Sequence, residues 1–254
     1  MKNIAITDQQ RRSFDEDGFV RIEEFATTEE LQIFSSECKR LLTEQIGADE
    51  GNQFDLAGAS TDLAHATLPQ IMKPSQYAPV LADLDYRKRA QAIAEELLCG
   101  QVELTNEHMI IKPAGHGGET PWHQDQAYHS PALVYRNVNV WLALEEATPE
   151  NGCMQYVPGS HKLDVLPHHP IGGNPDAHGL EVDEPEQFVS RAVACPVPAG
   201  GVVIHRSYML HYAGPNRTDQ PRPAYVLVFG CQPQTRDMPL ESPWLSTHHD
   251  GSKG

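Results

Sequence analysis

The chain is predicted to adopt a mainly β fold, a sandwich or barrel with helices packed outside it. From residue 101 onward, short runs rich in β-branched and aromatic residues are separated by Gly, Pro and Asn, as in closely spaced strands. Before that point, apolar residues recur at spacings of three and four, which is typical of amphipathic helices. A length of 254 residues suits one domain with a substantial core. We therefore expect a single domain over 1–254, in which a mostly helical part, 1–100, packs on a β core, 101–235, followed by a tail, 236–254.

Two capping boxes mark the starts of the first two predicted helices. Thr7 and Gln10 have the required spacing before a short helix that runs to about residue 17. Thr27 and Glu30 repeat this spacing before a longer helix with apolar residues on one face. In each box, the first side chain is expected to accept a hydrogen bond from the backbone N–H three residues later.

The remaining elements are one helix and a series of strands. The helix is predicted over about 83–98, with Gly100 suited to a left-handed C-cap. Six later runs are typical of strands: VELTNEHMIIK, NVNVWLAL, MQYVP, RAVACPV, VVIHRS and RPAYVLVFG. Between Gly159 and Ser190 lies a long stretch that is poor in aliphatic residues. A loop of that length in a compact domain is usually functional, often as a lid.

The composition excludes several classes of partner. Thirty-five Asp and Glu against nineteen Lys and Arg give a formal charge of -16. Nucleic acids and anionic membrane surfaces are disfavoured, because both are bound through clustered cations. The five scattered cysteines contain no CxxC pair, and no apolar run is long enough for a signal peptide or a membrane span. We expect a soluble cytoplasmic protein that acts on a small molecule, of unspecified oligomeric state.

Four separated residues carry the chemistry. His123 and Asp125, within PWHQD, are two residues apart, so an extended segment would project both side chains to one face. With His211 they can occupy one face of an iron(II) ion and leave the other positions open for a cosubstrate and oxygen. Arg222, eleven residues after His211, can grip the far carboxylate of a 2-oxoacid with a forked pair of hydrogen bonds. The combination predicts a non-haem iron oxygenase.

Each of these residues also has an ordinary interpretation. The HxD pair could belong to a surface loop, and His211 could be a satisfied core histidine in a β-like run. Arg222 favours the functional interpretation, because an inward arginine in an apolar strand needs an anionic partner. His205 and His108 compete as metal ligands, and His205 is the alternative for the third position.

Five blocks of the chain resemble a known family. They are, in order, FDEDGFVRIEEF, MIIKP, PWHQD, NVNVWLALEEATPENGCMQYVPGSHK and HYAGPNRTDQPRPA. Their order and spacing are similar to the phytanoyl-CoA dioxygenase (PhyH) family of iron(II)/2-oxoglutarate oxygenases. The resemblance implies a double-stranded β-helix, a jelly-roll or cupin-like core, with iron at one end. It implies that His123, Asp125 and His211 are the metal ligands and that Arg222 binds the distal carboxylate of 2-oxoglutarate.

The resemblance also implies further cosubstrate contacts. Trp141 matches a position that lines the cosubstrate, and Lys73 and His108 match two other contact positions approximately. Ala213 stands where a serine hydroxyl often helps to hold the diacid. Thr218 or a water molecule is therefore expected to supplement Arg222.

The substrate pocket is harder to predict. Candidates flank the metal motifs in sequence: Tyr128, His129, Arg136, Arg206, Tyr208 and Met209. Few cations lie between residues 130 and 212, which disfavours a CoA thioester with its several phosphates. A small metabolite is expected, with at most one anionic group that would contact Arg136 or Arg206.

The reaction implied by the resemblance is hydroxylation of an unactivated C–H bond. It would consume O2 and convert 2-oxoglutarate to succinate and CO2, with no catalytic residue beyond the metal ligands. Asp125 indicates oxygenation rather than halogenation, because related halogenases replace the carboxylate with a small residue. Desaturation and epoxidation use the same cofactor set. The alternative from another class is a non-catalytic β-helix protein that binds a metal or a small ligand.

Overall fold

The computed structural model describes residues 5–58 and 62–247 of the chain, which include seven α-helices. The helices are α1 (Asp8–Asp17), α2 (Thr28–Thr43), α3 (Pro74–Tyr77), α4 (Val80–Asp83), α5 (Asp85–Leu98), α6 (Glu186–Val189) and α7 (Trp244–Thr247). Both predicted capping boxes are confirmed: the Thr7 hydroxyl accepts from the Gln10 N–H, and the Thr27 hydroxyl from the Glu30 N–H, each at 3.2 Å. Residues 248–254, the end of the predicted tail, lie outside the described residues.

The C-cap prediction for α5 was wrong by one residue. Cys99, not Gly100, adopts the left-handed conformation, with φ 50° and ψ 49°. Its backbone N–H and that of Gly100 both bond to the carbonyl of Glu95. These bonds satisfy the end of the helix, so a non-glycine residue is held in a region that usually favours glycine.

The described residues include fifteen strands. They are β1 (Phe19–Ile22), β2 (Gln53–Asp55), β3 (Pro69–Met72), β4 (Glu103–Lys112), β5 (Thr120–His123), β6 (Leu133–Val134), β7 (Asn137–Ala143), β8 (Met154–Tyr156), β9 (His168–Pro170), β10 (Leu180–Val182), β11 (Val193–Cys195), β12 (Val202–Arg206), β13 (His211–Ala213), β14 (Arg222–Gly230) and β15 (Gln234–Thr235). Each of the six predicted strand runs contains one of them. The prediction of a mainly β fold is therefore confirmed.

Two antiparallel sheets form the core of the molecule. The larger has the order β1-β12-β7-β14-β4-β3-β2, and the smaller has the order β11-β8-β13-β5. Strands from the first hundred residues supply both edges of the larger sheet, namely β1 on one side and β3 with β2 on the other. The N-terminal part is therefore not only a helical layer but also completes the sheet.

Strand β7 shows how the larger sheet separates two environments. Val138, Val140 and Leu142 pack in one apolar cluster with residues of α2 and α5. Trp141 and Ala143, which alternate with them, pack in a second cluster with residues of the smaller sheet. Because side chains alternate along a strand, one face supports the helices and the other faces the smaller sheet.

The segment 159–190, predicted to be a long functional loop, contains a β-hairpin. Strands β9 and β10 pair antiparallel, and the hairpin is tied to the rest of the fold. The Leu180 N–H donates to the Tyr128 hydroxyl at 2.7 Å, and the Gly179 N–H donates to the Leu56 carbonyl at 2.9 Å. Movement of this segment upon ligand binding stays a prediction.

The helices of the described residues are short for a bilayer. The longest, α2, has 16 residues, whereas a transmembrane helix needs about 20 apolar ones. Within residues 5–58 and 62–247, no helix is long and apolar enough to cross a membrane.

A buried ion pair joins the start of α2 to α5. The Arg89 guanidinium donates to the Glu30 carboxylate, and both side chains are less than a tenth exposed. Glu30 also accepts from the Tyr86 N–H at 2.8 Å and from the Thr27 N–H at 2.9 Å. The pair thus holds the capped end of α2 against α5.

We expect Arg89→Met to destabilise the fold by about 3–5 kcal/mol, because it leaves the Glu30 carboxylate buried without its counter-ion. Urea unfolding measures the change in free energy. The double variant Glu30→Gln/Arg89→Met removes both charges and should recover part of the loss. An Arg89→Met protein within about 1 kcal/mol of wild type would show that the pair is energetically neutral.

Candidate metal centre

A cavity of about 440 Å³ lies between the two sheets. The larger sheet contributes Trp141 and Arg222 to its wall, and the smaller sheet contributes His123 and His211. The residues predicted to hold a metal and those predicted to bind a 2-oxoacid therefore share one cavity.

The two histidines of the candidate metal group meet through strand pairing. His211, the first residue of β13, lies directly opposite His123, the last residue of β5. Their ring centroids are 4.1 Å apart, and both side chains are more than nine-tenths buried. Residues 88 positions apart in the sequence are thus placed side by side by the register of two short strands.

Asp125 completes the group at the start of a 3-10 turn, Asp125–Tyr128. Gln124 between it and His123 is extended, so both side chains project to the same side, as their spacing predicts. The Asp125 Oδ1 atom lies 3.5 Å from His123 Nε2 and 3.7 Å from His211 Nε2. Among the described residues, these three form the one group of His, Cys, Asp and Glu with potential ligand atoms within 4.8 Å of one another.

Hydrogen bonds set the tautomers of both histidines. His123 Nδ1 lies 2.8 Å from the Pro121 carbonyl oxygen, and His211 Nδ1 lies 2.9 Å from that of Met209. A carbonyl oxygen only accepts, so each Nδ1 carries the proton and each Nε2 keeps its lone pair. The two lone pairs face the Asp125 carboxylate, and this donor set fits a divalent transition metal.

The protonation states also fit a metal site. Burial, together with the neighbouring His123, lowers the pKa of His211 to about 3, so its imidazole is neutral at pH 7. Burial alone would raise the pKa of Asp125, but the neighbouring histidines His211, His123 and His205 hold it well below its ordinary value. A neutral imidazole and an ionised carboxylate are the forms that bind metals.

Arg222 lies on the wall of the same cavity, at the start of β14. It is 1% exposed, and its guanidinium carbon lies 5.1 Å from the centre of the Trp141 ring. Burial lowers the pKa of Arg222 to about 10, so the group stays protonated at neutral pH. Its Nη1 atom has no hydrogen-bond partner among the described residues. A buried cation with a free donor fits a carboxylate ligand.

Lys112 is a functional candidate that the sequence reasoning missed. It lies directly opposite Arg222 in the β4–β14 pairing and is fully buried. Its ammonium donates to the carbonyls of Gly118 and Ala213, at 2.5 and 3.2 Å, and to the Thr120 hydroxyl at 3.4 Å. Burial and the nearby Arg222 lower the pKa of Lys112 well below its usual value. The signal in the sequence that could have identified Lys112 is its position at the end of the apolar strand run MIIK.

The other predicted cosubstrate residues also line the cavity. Trp141 is 4% exposed and faces Arg222. His108 lines the cavity beside the metal group, and burial lowers its pKa to about 4, which makes the ring neutral. The His108 Nδ1 atom is buried without a hydrogen-bond partner in the described part of the chain. Lys73 is exposed at the cavity mouth, in a left-handed backbone conformation with φ 50°.

The residue expected to replace the missing serine is not near the cavity. The Thr218 hydroxyl donates to Asn216 Oδ1 at 2.8 Å, within the turn that precedes β14. Thr120 instead lies opposite Ala213 across the β5–β13 pair, and it lines the cavity. The register of two strands, rather than proximity in sequence, places a hydroxyl beside Ala213.

Two of the six substrate-pocket candidates reach the cavity, namely Tyr128 and His129. The Tyr128 hydroxyl accepts from the Leu180 N–H, so this ring joins the cavity to the β9–β10 hairpin. The His129 ring stacks on Tyr135, with a centroid separation of 4.6 Å. Burial lowers the pKa of His129 and favours its neutral form.

Arg206 was placed in the pocket by its sequence position, but the structure turns it away. Its neighbour His205 faces the cavity, so alternation along β12 directs Arg206 to the opposite face. There its guanidinium lies 4.2 Å from the Phe14 ring centre and 3.3 Å from the Asp15 carboxylate. An anionic substrate group therefore has no partner in Arg206.

The last three candidates also lie outside the cavity lining. Arg136 donates to the Leu98 carbonyl at the end of α5. The Tyr208 hydroxyl accepts from Arg236 at 2.9 Å, and Met209 is fully buried in the core. Proximity to the metal motif in sequence was a poor guide, because turns direct these side chains into other contacts.

His205 does not join the ligand group, although it lines the cavity. Its Nε2 atom lies 3.2 Å from Asp125 Oδ2. The other carboxylate oxygen, Oδ1, is the one that lies nearer to His123 and His211. His108 is likewise outside the ligand group. Both alternatives to His211 as the third ligand are therefore disfavoured by the geometry.

Comparison with known proteins agrees with this geometry. The profile described as phytanoyl-CoA dioxygenase (PhyH) matches residues 14–224. The chain belongs to the PhyH family. It is 37% identical to EvdO2 from Micromonospora carbonacea var. aurantiaca, whose crystal structure superposes with a TM-score of 0.83 and covers 95% of this chain and 98% of its own. A second structure of that protein, in complex with 2-oxoglutarate, gives 36% identity and a TM-score of 0.82 over the same shares.

More distant relatives extend over similar shares of the chain. A phytanoyl-CoA dioxygenase domain-containing protein 1 homolog from Dictyostelium discoideum is 25% identical over 89% of this chain and 92% of its own. An ectoine dioxygenase from Sphingopyxis alaskensis is 25% identical over 96% and 83%. The predicted family and jelly-roll core are confirmed, and the chain is an iron- and 2-oxoglutarate-dependent dioxygenase that uses O2.

Removal of any one ligand side chain should abolish tight iron binding. We expect His123→Ala, Asp125→Ala and His211→Ala each to weaken iron(II) affinity more than a hundred-fold, about the upper limit for residues that only support a ligand. Anaerobic iron titration measures the dissociation constant. His65→Ala changes an exposed histidine that is not among the cavity-lining residues, and this control variant should bind iron as wild type. Wild-type affinity in any of the three variants would remove that residue from the metal site.

Proposed function

We propose that the protein hydroxylates a small, neutral, polar metabolite, with conversion of 2-oxoglutarate to succinate and CO2. The observation that carries this proposal is the pairing of two features in one cavity. A His, Asp and His group fits a metal, and the buried Arg222, with a free donor, fits the far carboxylate of the cosubstrate. A protein that bound only a metal would have no need of the buried cation.

In this proposal His123 and His211 hold iron(II) through Nε2, and Asp125 holds it through a carboxylate oxygen. When bound, iron with 2-oxoglutarate supplies the oxidising power for the C–H bond. His123, Asp125 and His211 would hold the metal, and the rest of the cavity would remain for the cosubstrate and the substrate. Asp125 also favours oxygenation over halogenation, because related halogenases have a small residue in place of this carboxylate.

The cosubstrate carboxylate has a polar cradle formed by three strands. Arg222 offers Nη1, and the Trp141 ring limits the space beside the guanidinium. The Thr120 hydroxyl accepts from the Lys112 ammonium, which leaves its own hydrogen for a carboxylate oxygen. We propose that Thr120 replaces the hydroxyl that Ala213 lacks. Lys112 supports it from behind, and a dianionic ligand would favour the ammonium form of this lysine.

His108 and Lys73 are further candidates for contact with 2-oxoglutarate, with less support than Arg222. The neutral His108 ring presents its Nδ1 without a protein partner, beside the metal group. It can hydrogen-bond a bound cosubstrate or substrate without adding charge. Lys73, exposed at the mouth, is placed to meet a ligand as it enters.

The cavity wall indicates a neutral substrate. Among the described residues that line it, the Lys and Arg residues are Lys73 and Arg222, and the acidic residue is Asp125. In this proposal Asp125 binds iron and Arg222 binds the cosubstrate, so neither charge is left for the substrate. The rest of the polar wall consists mostly of amide and imidazole side chains, namely those of Asn52, Gln70, Asn106, Asn139, His129 and His178. Tyr128 and Phe54 add aromatic surface. Neutral hydrogen-bonding groups next to aromatic faces suit a polar uncharged molecule.

Arg222→Ala should lower 2-oxoglutarate affinity roughly 30- to 150-fold, because the distal carboxylate loses a charged partner worth about 2–3 kcal/mol. Iron(II) affinity should stay within about twofold. Anaerobic visible spectra measure both, since a weak charge-transfer band is expected only when iron and 2-oxoglutarate are bound together. Arg222→Lys, the matched variant, should restore part of the affinity. A cosubstrate affinity unchanged by Arg222→Ala would place the diacid elsewhere.

Absence of the band in wild-type protein with bound iron would contradict the oxygenase site itself. The non-catalytic alternative, a metal-binding β-helix protein, would then be favoured. Presence of the band would show that iron and 2-oxoglutarate bind together in the site.

Succinate formation should be stimulated by neutral polar metabolites and not by CoA thioesters. A CoA thioester carries several phosphate charges, and among the described residues that line the cavity the exposed cation is Lys73, whose single charge cannot neutralise them. A metabolite screen with succinate as the readout tests this, and product analysis separates hydroxylation from desaturation or epoxidation. Turnover of a CoA ester whose free acid is inert would overturn the neutral-substrate proposal.

A further inference from the structure

The two oxygens of Asp125 have different surroundings. Oδ1 lies 3.5 and 3.7 Å from the Nε2 atoms of the two ligand histidines. Oδ2 accepts from the Asn139 side-chain amide at 2.8 Å and lies 3.2 Å from His205 Nε2. The carboxylate is therefore held by one oxygen, and the other is presented to the metal group.

Both groups that hold Oδ2 come from the rigid centre of the larger sheet. Asn139 on β7 and His205 on β12 are direct cross-strand partners, and both side chains face the cavity. They are 4% and 2% exposed. A carboxylate held from a sheet is restricted more tightly than one held by the turn on which Asp125 itself lies.

The tautomer of His205 is set by a tyrosine. The ionised Asp125 carboxylate only accepts, so the His205 Nε2 must carry the proton. Its Nδ1 then has a lone pair, and the Tyr156 hydroxyl lies 3.0 Å from that atom as the donor. Tyr156 is fully buried and stacks on Phe19 with ring centroids 4.5 Å apart. Burial raises the pKa of Tyr156 well above its ordinary value, so the hydroxyl keeps its hydrogen.

We propose that His205 is a positioning residue for the metal ligand Asp125. With Asn139 it occupies Oδ2, so that Asp125 binds iron through Oδ1 alone, and Tyr156 fixes the tautomer that makes this possible. The inference rests on the proposed function, because it takes Asp125 as a ligand. Without this restraint the carboxylate can rotate and offer either oxygen or both, at a cost in metal affinity and in the geometry of the open positions.

The experiment compares His205→Leu, His205→Gln and Tyr156→Phe in anaerobic titrations with iron(II), and in visible spectra of the cobalt(II)-loaded protein. His205→Leu should weaken iron affinity about 10–100-fold, the range for groups that support a ligand. His205→Gln should recover most of the loss, because its amide N–H can still donate to Asp125. Tyr156→Phe should weaken affinity about two- to tenfold, the worth of one neutral hydrogen bond.

Combining the last two changes separates positioning from general structural damage. In the His205→Gln background, Tyr156→Phe should have no further effect on iron affinity, because an amide has no tautomer to set. The control is Tyr225→Phe, which removes another buried hydroxyl, bonded to Glu107 at 2.8 Å, away from the cavity lining. That change should lower stability and leave iron affinity unchanged.

A folded His205→Leu protein with wild-type iron affinity would overturn the inference. So would a His205→Gln protein whose iron affinity is as low as that of the leucine variant. A cobalt spectrum showing that His205→Leu loses a direct metal ligand would also overturn it. If the leucine variant does not fold, the proposal is tested by Tyr156→Phe in the wild-type and His205→Gln backgrounds. An equal loss of iron affinity in both backgrounds would contradict the proposal. Should Asp125→Ala also bind iron as wild type, the metal site itself would be wrong. Weak binding by Asp125→Ala with normal binding by His205→Leu would contradict this inference alone.

Discussion

The metal group depends on the register in which β13 lies between β5 and β8. His211 is directly opposite His123 on one side and directly opposite Tyr156 on the other. A shift of one residue would send the His211 side chain to the outer face and separate it from both partners. One register therefore places two proposed ligands together and brings the tyrosine that orients His205 next to them. The strands involved are three or four residues long, so their pairing has little redundancy.

Because side chains alternate along its strands, the larger sheet packs against the helices with one face and lines the cavity with the other. On β14, Tyr225 and Leu227 face the helices, while Arg222 and Val226 face the cavity. On β12, His205 faces inward and the next residue faces out. The same strands thus supply apolar contacts to α2 and α5 and polar groups to the site. A rigid, well-packed sheet holds the polar groups in place, which a flexible loop could not do as accurately.

The charge distribution of the site differs from that of the whole chain. The protein carries a formal charge of -16, yet the described residues that line its cavity include one carboxylate, Asp125, and two cations, Arg222 and Lys73. The overall acidity lies elsewhere and does not select the ligand. The family is named after a CoA thioester, whereas among the described residues the cavity lining offers Lys73 and Arg222 as its lysine and arginine. A shared fold and metal group are compatible with different substrates, because function depends on the individual site and not on the fold.

Local patterns in the sequence predicted the capping boxes at Thr27 and Thr7, the six main strand runs, and the candidate metal group with Arg222. These features depend on spacing along the chain, which a single sequence displays. The other cosubstrate candidates came from the resemblance to the family. Only the tertiary structure decided that His205 contacts Asp125, that Lys112 lies opposite Arg222, and that Arg206 points away. It also assigned the left-handed C-cap to the residue before Gly100 and folded part of 159–190 into a hairpin. The reason is physical: these outcomes depend on strand register and on contacts between residues far apart in the chain, which local spacing does not specify.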